Sequence, residues 1–449
     1  MATSESSFTT FPEKASIRWG YPREILLQCQ YDTGPNSTTT MKPKVLLATT
    51  TNWFSTARLA TSLATVGFTV EAVCPSRSPI AKTKLAPRTY VYRGLAGPSS
   101  FQRAINAAHP DLVIPCDTLS TAHLHGLYDN PLCSGEDARA IQELLERSLG
   151  DRASYPIFAA RSRFNALARE EGIAAPEMVA ITAASELTAW SACHEFPVVL
   201  KTNGSSGGAG VQFVGSPAEA GQVFRLLSAP PLASRAVSRA IFDRDFTMVL
   251  PCLLRKRPVV NVQGFIAGRD ATIQVACWQG KVAASITAEA LQVWEAKGPS
   301  TVLRIIDNRE MAEAAEKIVR RLGLSGLHGF DFILEEGTGK AYVIEANPRA
   351  TQVCHLPLGA GHDLPASLYA SVTGEPLGNV TSVTDREVIA LFPQAWVQNP
   401  TSEYLQSAYH DVPWDEPELV RACMKLRQNR WHSYANWVRF WSKLGLYRP

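Results

Sequence analysis

The chain has 449 residues, of which 45% are hydrophobic and 19% charged, and its net charge is +3. This composition is typical of a soluble globular protein with two to four domains. The small net charge argues against a nucleic-acid-binding protein that depends on bulk positive charge.

Nine cysteines are spread singly along the chain, without a C-x-x-C pair. An odd number of scattered cysteines fits a reducing compartment, so we expect a cytoplasmic protein. The N-terminus lacks the charged start and apolar core of a signal peptide. No apolar run approaches the ~20 residues of a membrane-spanning helix. We therefore expect neither a signal peptide nor stable membrane insertion.

The first 41 residues are rich in Ser and Thr, and we expect an extension that is partly disordered. From Lys44, strands and helices alternate through the segments KVLLAT, STARLATSLATVG, FTVEAVCP and PDLVIPCD. This alternation predicts a parallel sheet with helices on its faces over residues 42–130. The first turn, TTTNWFSTA, lacks G-x-G-x-x-G, so we expect no dinucleotide site there.

The rest of the chain divides into four segments by pattern. Linker helices are predicted over residues 131–194, and a glycine-rich hairpin with further strands over 195–265. Residues 266–378 contain strands, the helix REMAEAAEKIVRRLG and a second hairpin. The tail, residues 385–449, carries five of the ten tryptophans, and we expect it to be small and helical.

The glycine-rich hairpin follows an apolar run that ends in Lys201. Eight small residues, Asn203 to Gly210, separate this run from VQFV. A P-loop has its lysine after the glycines and continues into a helix, whereas both flanking segments here read as strands. Glycines leave backbone N–H groups accessible to an anion, and Lys201 adds positive charge. At this point a phosphate-binding loop and a mobile hairpin tip fit equally well.

The second hairpin is predicted where two apolar runs flank EEGTGK. With a turn of three or five residues centred on Thr338, Asp331 lies opposite Glu345, with Cβ atoms about 4.5–5.5 Å apart. Asn347 follows on the same face. Facing carboxylates need a neutralising cation, and Mg²⁺ binds carboxylate and amide oxygens while leaving room for phosphates. Arg349, just beyond, suits an anionic group.

The alternative is an exposed hairpin whose acids face solvent. It fits poorly, because the same register places the apolar side chains of Ile333 and Val343 on the face of the acids. The sequence therefore favours a divalent metal site for Mg²⁺ or Mn²⁺.

In their order along residues 44 to about 378, these segments resemble the ATP-grasp superfamily. The resemblance rests on the segments FPVVLK with its glycine loop, VNVQGFIAGRD, GFDFIL and VIEANPRA, after a dinucleotide-fold-like domain. It is nearest to the carbamoyl-phosphate-synthase and biotin-carboxylase-like branch of the carboxylate–amine ligases. It implies a Rossmann-like pre-ATP-grasp domain followed by a two-subdomain ATP-grasp fold, in which residues 195–265 form the lid.

The resemblance also implies roles for the matching residues. Lys201 would contact the ATP phosphates under the glycine loop. Gln263 would accept from the adenine amino group where the family often has Glu, and Asp270 would bind the ribose. Arg161 stands where the family usually has a nucleotide-binding lysine. The implied nucleotide-binding set is Arg161, Lys201, Gly204, Ser205, Ser206, Gly207, Gly208, Gly210, Gln263, Gly264, Phe265, Ile266 and Asp270.

The metal ligands implied by the resemblance are Asp331, Glu345 and Asn347. Arg349 would face the acyl-phosphate, with Lys201 on the phosphates. Arg304, in a segment expected beside the acceptor substrate, completes the predicted catalytic set.

The implied activity is an ATP-dependent ligase that joins a small carboxylate to an amine or related nucleophile through an acyl-phosphate, releasing ADP and phosphate. Its expected partners are ATP and small-molecule substrates, and no nucleic-acid partner is expected. The sequence leaves open whether the chain forms a homo-oligomer. One alternative is a kinase of the same fold, and another is a non-catalytic ATP-binding regulatory protein. No biotinyl carrier segment is visible, so biotin carboxylation is not expected.

Overall fold

The computed structural model describes residues 42–424 except positions 86, 205–209, 231–232, 234–236, 238–251, 256, 295–297 and 379. The predicted N-terminal extension therefore lies outside the described residues, as do Trp431, Trp437 and Trp441 of the tail. What is described forms three β-sheets with helices packed on them. None of the helices described is both long enough and apolar enough to span a bilayer.

The first sheet has four parallel strands in the order β3-β2-β1-β4. Its elements are β1 (Lys44–Ala48), α1 (Phe54–Thr65), β2 (Thr69–Cys74), β3 (Arg88–Val91), α2 (Gly97–Ala108), β4 (Leu112–Pro115), α3 (Thr118–Asp129) and α4 (Glu136–Leu149). The strands are short, and β1, β2 and β4 are largely apolar because α1 covers one face while α2, α3 and α4 cover the other, whereas β3 is an exposed edge. The predicted parallel α/β arrangement is confirmed, and α4, expected in the linker, packs on this sheet.

The second sheet has four antiparallel strands in the order β5-β8-β6-β7. This part of the chain contains α5 (Tyr155–Ala159), α6 (Arg161–Glu170), β5 (Met178–Ile181), α7 (Ala184–Ser191), β6 (Val198–Thr202), β7 (Val211–Val214), α8 (Pro217–Leu227) and β8 (Val260–Gly264). On one face, Val198, Leu200 and Val262 pack against α7 and α8. Because side chains alternate along a strand, Lys201 and Gln263 project from the opposite face.

The third sheet has seven strands in the order β13-β12-β9-β10-β11-β14-β15. Its elements are β9 (Gly268–Trp278), β10 (Lys281–Val293), β11 (Ser300–Ile305), α9 (Arg309–Arg321), β12 (Gly326–Glu335), β13 (Ala341–Asn347), α10 (Leu364–Thr373), β14 (Val388–Leu391), α11 (Gln394–Gln398), α12 (Tyr404–Ser407) and β15 (Tyr409–Asp411). One face packs on α6 and α9. The other packs on α10, which joins it to α1 of the first sheet.

The tail, expected to be small and helical, contributes two strands to the third sheet. β14 pairs with β11, and β15 adds a parallel edge. The physical reason is that the apolar run Val388–Leu391 satisfies the backbone groups of β11, which would otherwise form an open edge. In β15, Asp411 forms an ion pair with Arg58 of α1 at 2.6 Å and a hydrogen bond with His355 at 2.7 Å. The predicted domain boundaries themselves stay a prediction.

Candidate active site

Lys201 stands at the end of β6 on the face of the second sheet that α7 and α8 leave uncovered. Its side chain is buried, and burial lowers the pKa of Lys201 to about 8. The carboxylates of Glu345, Asp331 and Asp270 raise that pKa, while Arg161 lowers it. The structure therefore brings five charged residues predicted from the sequence into one site, although they come from two sheets and one helix.

The glycine hairpin has the predicted strand–loop–strand form. β6 and β7 pair without irregularity, with Lys201 opposite Val211. Gly204 has a φ of 70°, which favours glycine, and Gly210 is buried before β7. The other predicted loop residues lie outside the described residues, and their phosphate contacts stay a prediction: Ser205, Ser206, Gly207 and Gly208.

The acidic hairpin places Asp331 directly opposite Glu345, as predicted. The backbone reaches this pairing by a different route, because the turn has four residues, 336–339, and a β-bulge follows at Ile344. The extra residue puts Val343 and Glu345 on opposite faces, and Val343 packs in the core beneath. The prediction that Val343 shares the face of the acids is therefore wrong.

Hydrogen bonds link the acids to two arginines. Asn347 donates from Nδ2 to Asp331 at 2.9 Å, and Arg349 donates to the Oδ1 of Asn347 at 3.1 Å. Arg161 lies 2.6 Å from Glu345. Burial and then the charge of Glu345 raise the pKa of Asp331 to about 6. The carboxylates thus repel one another, and the guanidinium groups offset their charge.

The donor set of this hairpin suits a hard divalent cation, because it consists of two carboxylates and one amide oxygen. The raised pKa of Asp331 marks a position where additional positive charge is favourable. Across the described part of the chain, no group of three or more His, Cys, Asp and Glu side chains is arranged to hold a metal. A cation here would therefore also need oxygens from a substrate, as Mg²⁺ takes from phosphates.

Arg161 begins α6 and connects three elements. Its backbone N–H donates to Asn203 at 3.2 Å, and its Nε donates to the carbonyl of Thr202 at 3.1 Å. Its guanidinium also pairs with Glu345 of β13. The planar fork of arginine allows these simultaneous contacts, which a lysine ammonium makes less easily. Arg161 is thus at the predicted site, and it orients the end of β6 beside Lys201.

Gln263 occupies an apolar part of the same face. Its strand neighbours in register are Val199 and Met178, and its Oε1 is buried with no partner among the described residues. Nearby, the ring of Phe265 meets that of Phe213 edge-to-face at 5.8 Å. A planar group with an N–H donor suits this surface, because the unpaired oxygen can accept from it.

The chain passes from the second sheet to the third between Gly264 and Gly268, with Ile266 in the connection. The N–H of Gly264 donates to the carbonyl of Glu177 at 3.0 Å. Asp270 follows in β9, where burial raises its pKa and Lys201 lowers it. Alternation puts Asp270 on the face of the acidic hairpin, so these connecting residues border the site.

The structure does not bring Arg304 to this site. Ala288 shares a face with Asp331, because both residues pair with the same position of β9. Glu289 is the next residue, so it projects from the other face, and Arg304 lies opposite it. Arg304 and Arg269 bind Glu289 at 2.9 and 2.6 Å. The physical reason is the regular alternation of β10 between Ala284 and Ala290, which puts Glu289 and its partner Arg304 on the face away from Asp331.

Two polar residues of the site escaped the sequence reasoning. Thr272 lies opposite Asp331 and hydrogen-bonds to it, and the Nε2 of Gln274 donates to Thr272 at 2.7 Å. Counting every second residue from Asp270 along β9 would have found both. The first sheet also contacts the site, because Thr121 donates to the carbonyl of Pro348 at 3.0 Å.

Residues 248–353 match a family described as ATP-grasp domain. No curated protein matches the sequence. The fold resembles the biotin carboxylase domain of the 2-oxoglutarate carboxylase from Hydrogenobacter thermophilus, at 15% identity, with 75% of this chain and 71% of that chain covered and a TM-score of 0.52.

Two further solved structures have a similar fold. One is biotin carboxylase from Campylobacter jejuni, at 14% identity, with 76% of this chain and 74% of that chain covered and a TM-score of 0.53. The other is N5-carboxyaminoimidazole ribonucleotide synthetase from Thermus thermophilus, at 13% identity, 76% and 80% coverage and a TM-score of 0.53. At these identities the likeness concerns the fold.

Proposed function

The chain has the ATP-grasp fold, and we propose that it is an ATP-dependent ligase that joins a small carboxylate to an amine or related nucleophile. The observation that carries the proposal is the convergence of Lys201 with the paired carboxylates of Asp331 and Glu345. A buried ammonium suits phosphate oxygens, and paired carboxylates suit the cation that accompanies them. The Hydrogenobacter structure was solved with MgADP, which supports this assignment.

Mg²⁺ or Mn²⁺, when bound, would neutralise charge on the phosphates and on the phosphoryl group in transfer. The side chains proposed to hold it are Asp331, Glu345 and Asn347. Arg161 and Arg349 already contact two of these side chains, at 2.6 and 3.1 Å. Their guanidinium groups therefore lie beside any phosphate that enters, where bidentate hydrogen bonds are strong.

The chain's own residues would also hold the nucleotide base. Gln263 offers a buried unpaired oxygen to the adenine amino group, and Val199 and Met178 provide apolar contact beside it. Phe265 borders the same surface. In this role Gln263 substitutes for a carboxylate without adding negative charge near the phosphates.

The proposed reaction has two steps. A carboxylate oxygen attacks the terminal phosphorus of ATP, the bond to the ADP oxygen breaks, and an acyl-phosphate forms. The amine nitrogen then attacks the acyl carbon, the bond to the phosphate oxygen breaks, and phosphate and a proton leave. The task of Lys201 and Arg349 is to position the reactants and offset their charge. The glycine loop, as proposed from the sequence, would exclude water from the acyl-phosphate.

The test is a parallel measurement of ADP and inorganic phosphate with a panel of small acids, each with hydroxylamine as a trapping nucleophile. A ligase releases both products together and forms a hydroxamate only when its acid is present. Arg349→Ala should abolish this turnover, whereas Arg304→Ala, on the other face of the sheet, should retain it.

The remaining outcomes separate the alternatives. ADP released without inorganic phosphate, with a phosphorylated acceptor, would indicate a kinase. Binding of ATP without turnover, together with a Glu345→Ala variant that keeps its biological activity, would indicate a regulatory protein. Either result would contradict the ligase proposal.

A further inference from the structure

Two buried glutamines each have an amide oxygen that finds no hydrogen-bond partner among the described residues. Gln274 is 2% exposed and Gln394 is 1% exposed. The Oε1 atom of each is buried and makes no hydrogen bond within the described part of the chain. Buried acceptors are nearly always paired, so two unpaired ones in one region point to a ligand that supplies donors.

The orientation of the Gln274 amide follows from the acidic hairpin. Thr272 lies opposite Asp331 in register, and its hydroxyl donates to this carboxylate, which can only accept. Thr272 has one hydroxyl proton, so its lone pair accepts from the Nε2 of Gln274 at 2.7 Å. The oxygen of Gln274 is therefore the free end, and it is an acceptor.

Gln394 is the first residue of α11, and its amide group is hydrogen-bonded through its nitrogen. Its Nε2 donates to the Oε1 of Gln352 at 3.1 Å, which leaves its own oxygen free. Gln352 directly follows Thr351, whose methyl group lies 2.7 Å from where a Cβ on Gly329 would stand. Gly329 is the register partner of Gln274. Gln394 therefore contacts the segment that follows Arg349, and Gln274 lies on the strand face that this segment covers.

We propose that Gln274 and Gln394 form the subsite of the amine substrate. This inference rests on the proposed ligase function and adds the class of ligand, a neutral amine. An amide oxygen accepts an N–H without carrying charge, whereas a carboxylate would stabilise the ammonium form, which has no lone pair for attack. The positive charge of Arg349 disfavours the ammonium form further.

The subsite has a defined place in the second step. The amine nitrogen uses its lone pair to form the C–N bond while the bond between the acyl carbon and the phosphate oxygen breaks. One proton leaves the nitrogen with this step, and N–H groups donate to the glutamines while the nitrogen approaches. Gln394 lies outside the residues that match the ATP-grasp domain family.

The test uses Gln274→Met and Gln394→Met in the full chain. The probes are hydroxylamine, ammonium chloride and the twenty standard amino acids, each with ATP and the acid panel. We expect about a tenfold higher KM for the accepted amine in both variants, from one lost hydrogen bond. The kcat and the KM of the acid should stay unchanged in Gln394→Met, whereas Gln274→Met also removes the donor to Thr272 beside Asp331 and should lower kcat. Saturating hydroxylamine should still give the wild-type rate of hydroxamate formation in Gln394→Met, since a small nucleophile at high concentration does not need the subsite.

Gln398→Met is the matched control, because Gln398 lies on the same helix and donates to the carbonyl of Val293 at 2.6 Å. It should leave the KM of the amine unchanged. Gln394→Glu serves where a methionine variant fails to fold. It keeps the shape and should move the pH profile for the amine upward, because a carboxylate favours the ammonium form.

Three outcomes distinguish failure of the proposed ligase function from failure of the proposed amine subsite. If the wild type forms no hydroxamate and releases no ADP with any acid, the proposed function fails. If hydroxamate forms but the variants keep the wild-type KM for the amine, the subsite is wrong while the ligase stands. A higher KM for the acid with an unchanged KM for the amine would also overturn the subsite.

Discussion

The glycine hairpin of β6 and β7 and the acidic hairpin of β12 and β13 bring opposite charges to one site by different backbone geometry. The first pairs in strict register, so the position of Lys201 follows from simple alternation. The second contains a bulge at Ile344, and the facing of Asp331 and Glu345 depends on that extra residue. The pairing of β6 with β7 therefore contains no bulged residue, whereas the pairing of β12 with β13 contains one.

This difference teaches how each hairpin responds to change. In a regular strand, a slip of one residue turns every side chain to the opposite face. In the bulged hairpin, one residue is already unpaired, so the strand can lose it without losing the pairing of the acids. Substitutions and deletions in the two hairpins should therefore behave differently.

The largest effect is expected at the acidic hairpin. Asp331→Asn removes one of the two facing carboxylates, and we expect steady-state ADP release to fall about a thousandfold, as for loss of a principal electrostatic group. Glu335→Gln, at the turn of the same hairpin, is the control and should keep turnover. Retention of a tenth of wild-type activity by Asp331→Asn would contradict the metal site.

The next effect is expected at the regular hairpin. Lys201→Met should raise the KM for ATP about 10- to 100-fold, because a charged hydrogen bond to phosphate is lost. The same change should raise the melting temperature, since burial lowers the pKa of Lys201 to about 8 and so disfavours its charged form. Thermal unfolding without nucleotide tests this, with the exposed Lys281→Met as control. A lower melting temperature would mean that the surrounding acids outweigh burial.

A smaller effect is expected from deleting the bulge. Without Ile344, Val343 still pairs with Phe332 and Glu345 still faces Asp331, so turnover should stay within about tenfold of wild type. Deleting Leu200 from β6 is the matched comparison, because it moves Lys201 to the face packed by α7 and α8. Calorimetric titration with MgADP should show binding in the first variant and none in the second. Equal loss in both would remove the distinction between the hairpins.

The smallest effect concerns the pH dependence of stability and comes from three partly or fully buried histidines. Burial lowers the pKa values of His125, His328 and His410 to about 4. The unfolded chain takes up these protons near pH 6.5, so the stability they contribute is present above that pH and is lost as pH falls toward 4. Each histidine adds at most about 1.4 kcal/mol per pH unit to the slope.

Urea unfolding at pH 7 and pH 5 measures this slope. His328→Gln should reduce the difference between the two pH values, whereas His109→Asn, on an exposed residue, should leave it unchanged. An identical slope in wild type and His328→Gln would show that the histidine is protonated in the folded chain too.

Much of the fold follows from patterns that local physics enforces. The sequence predicts the parallel sheet because β1, β2 and β4 are largely apolar on both faces, and it predicts the opposition of Asp331 and Glu345 from cross-strand spacing. The sequence does not predict the bulge, because no residue type near Ile344 distinguishes a paired from an unpaired position. The prediction that Arg304 belongs to the site is wrong for a related reason. A charged residue in a nearby strand reaches the site only if its side chain projects from the face that carries the site.

The proposed glutamine subsite could not be predicted from the sequence, because it depends on tertiary structure. Gln274 and Gln394 are 120 positions apart in the sequence, and only the course of the segment after Arg349 relates them. An unsatisfied acceptor is a property of surroundings, so no single-residue pattern predicts it. The two strands of the tail are similar, because an edge strand is defined by the neighbour whose backbone groups it satisfies.

The contact of Asp411 with Arg58 and His355 limits how this chain can be divided. It joins the last strand to the first helix and to the loop after the acidic hairpin, with distances of 2.6 and 2.7 Å. A gene fragment that ended with the family match, at residue 353, would lack both His355 and Asp411 and would leave the half-buried guanidinium of Arg58 without its acid. Recombination between relatives would therefore have to exchange α1 and β15 together, so we expect the first and third sheets to be inherited as one unit.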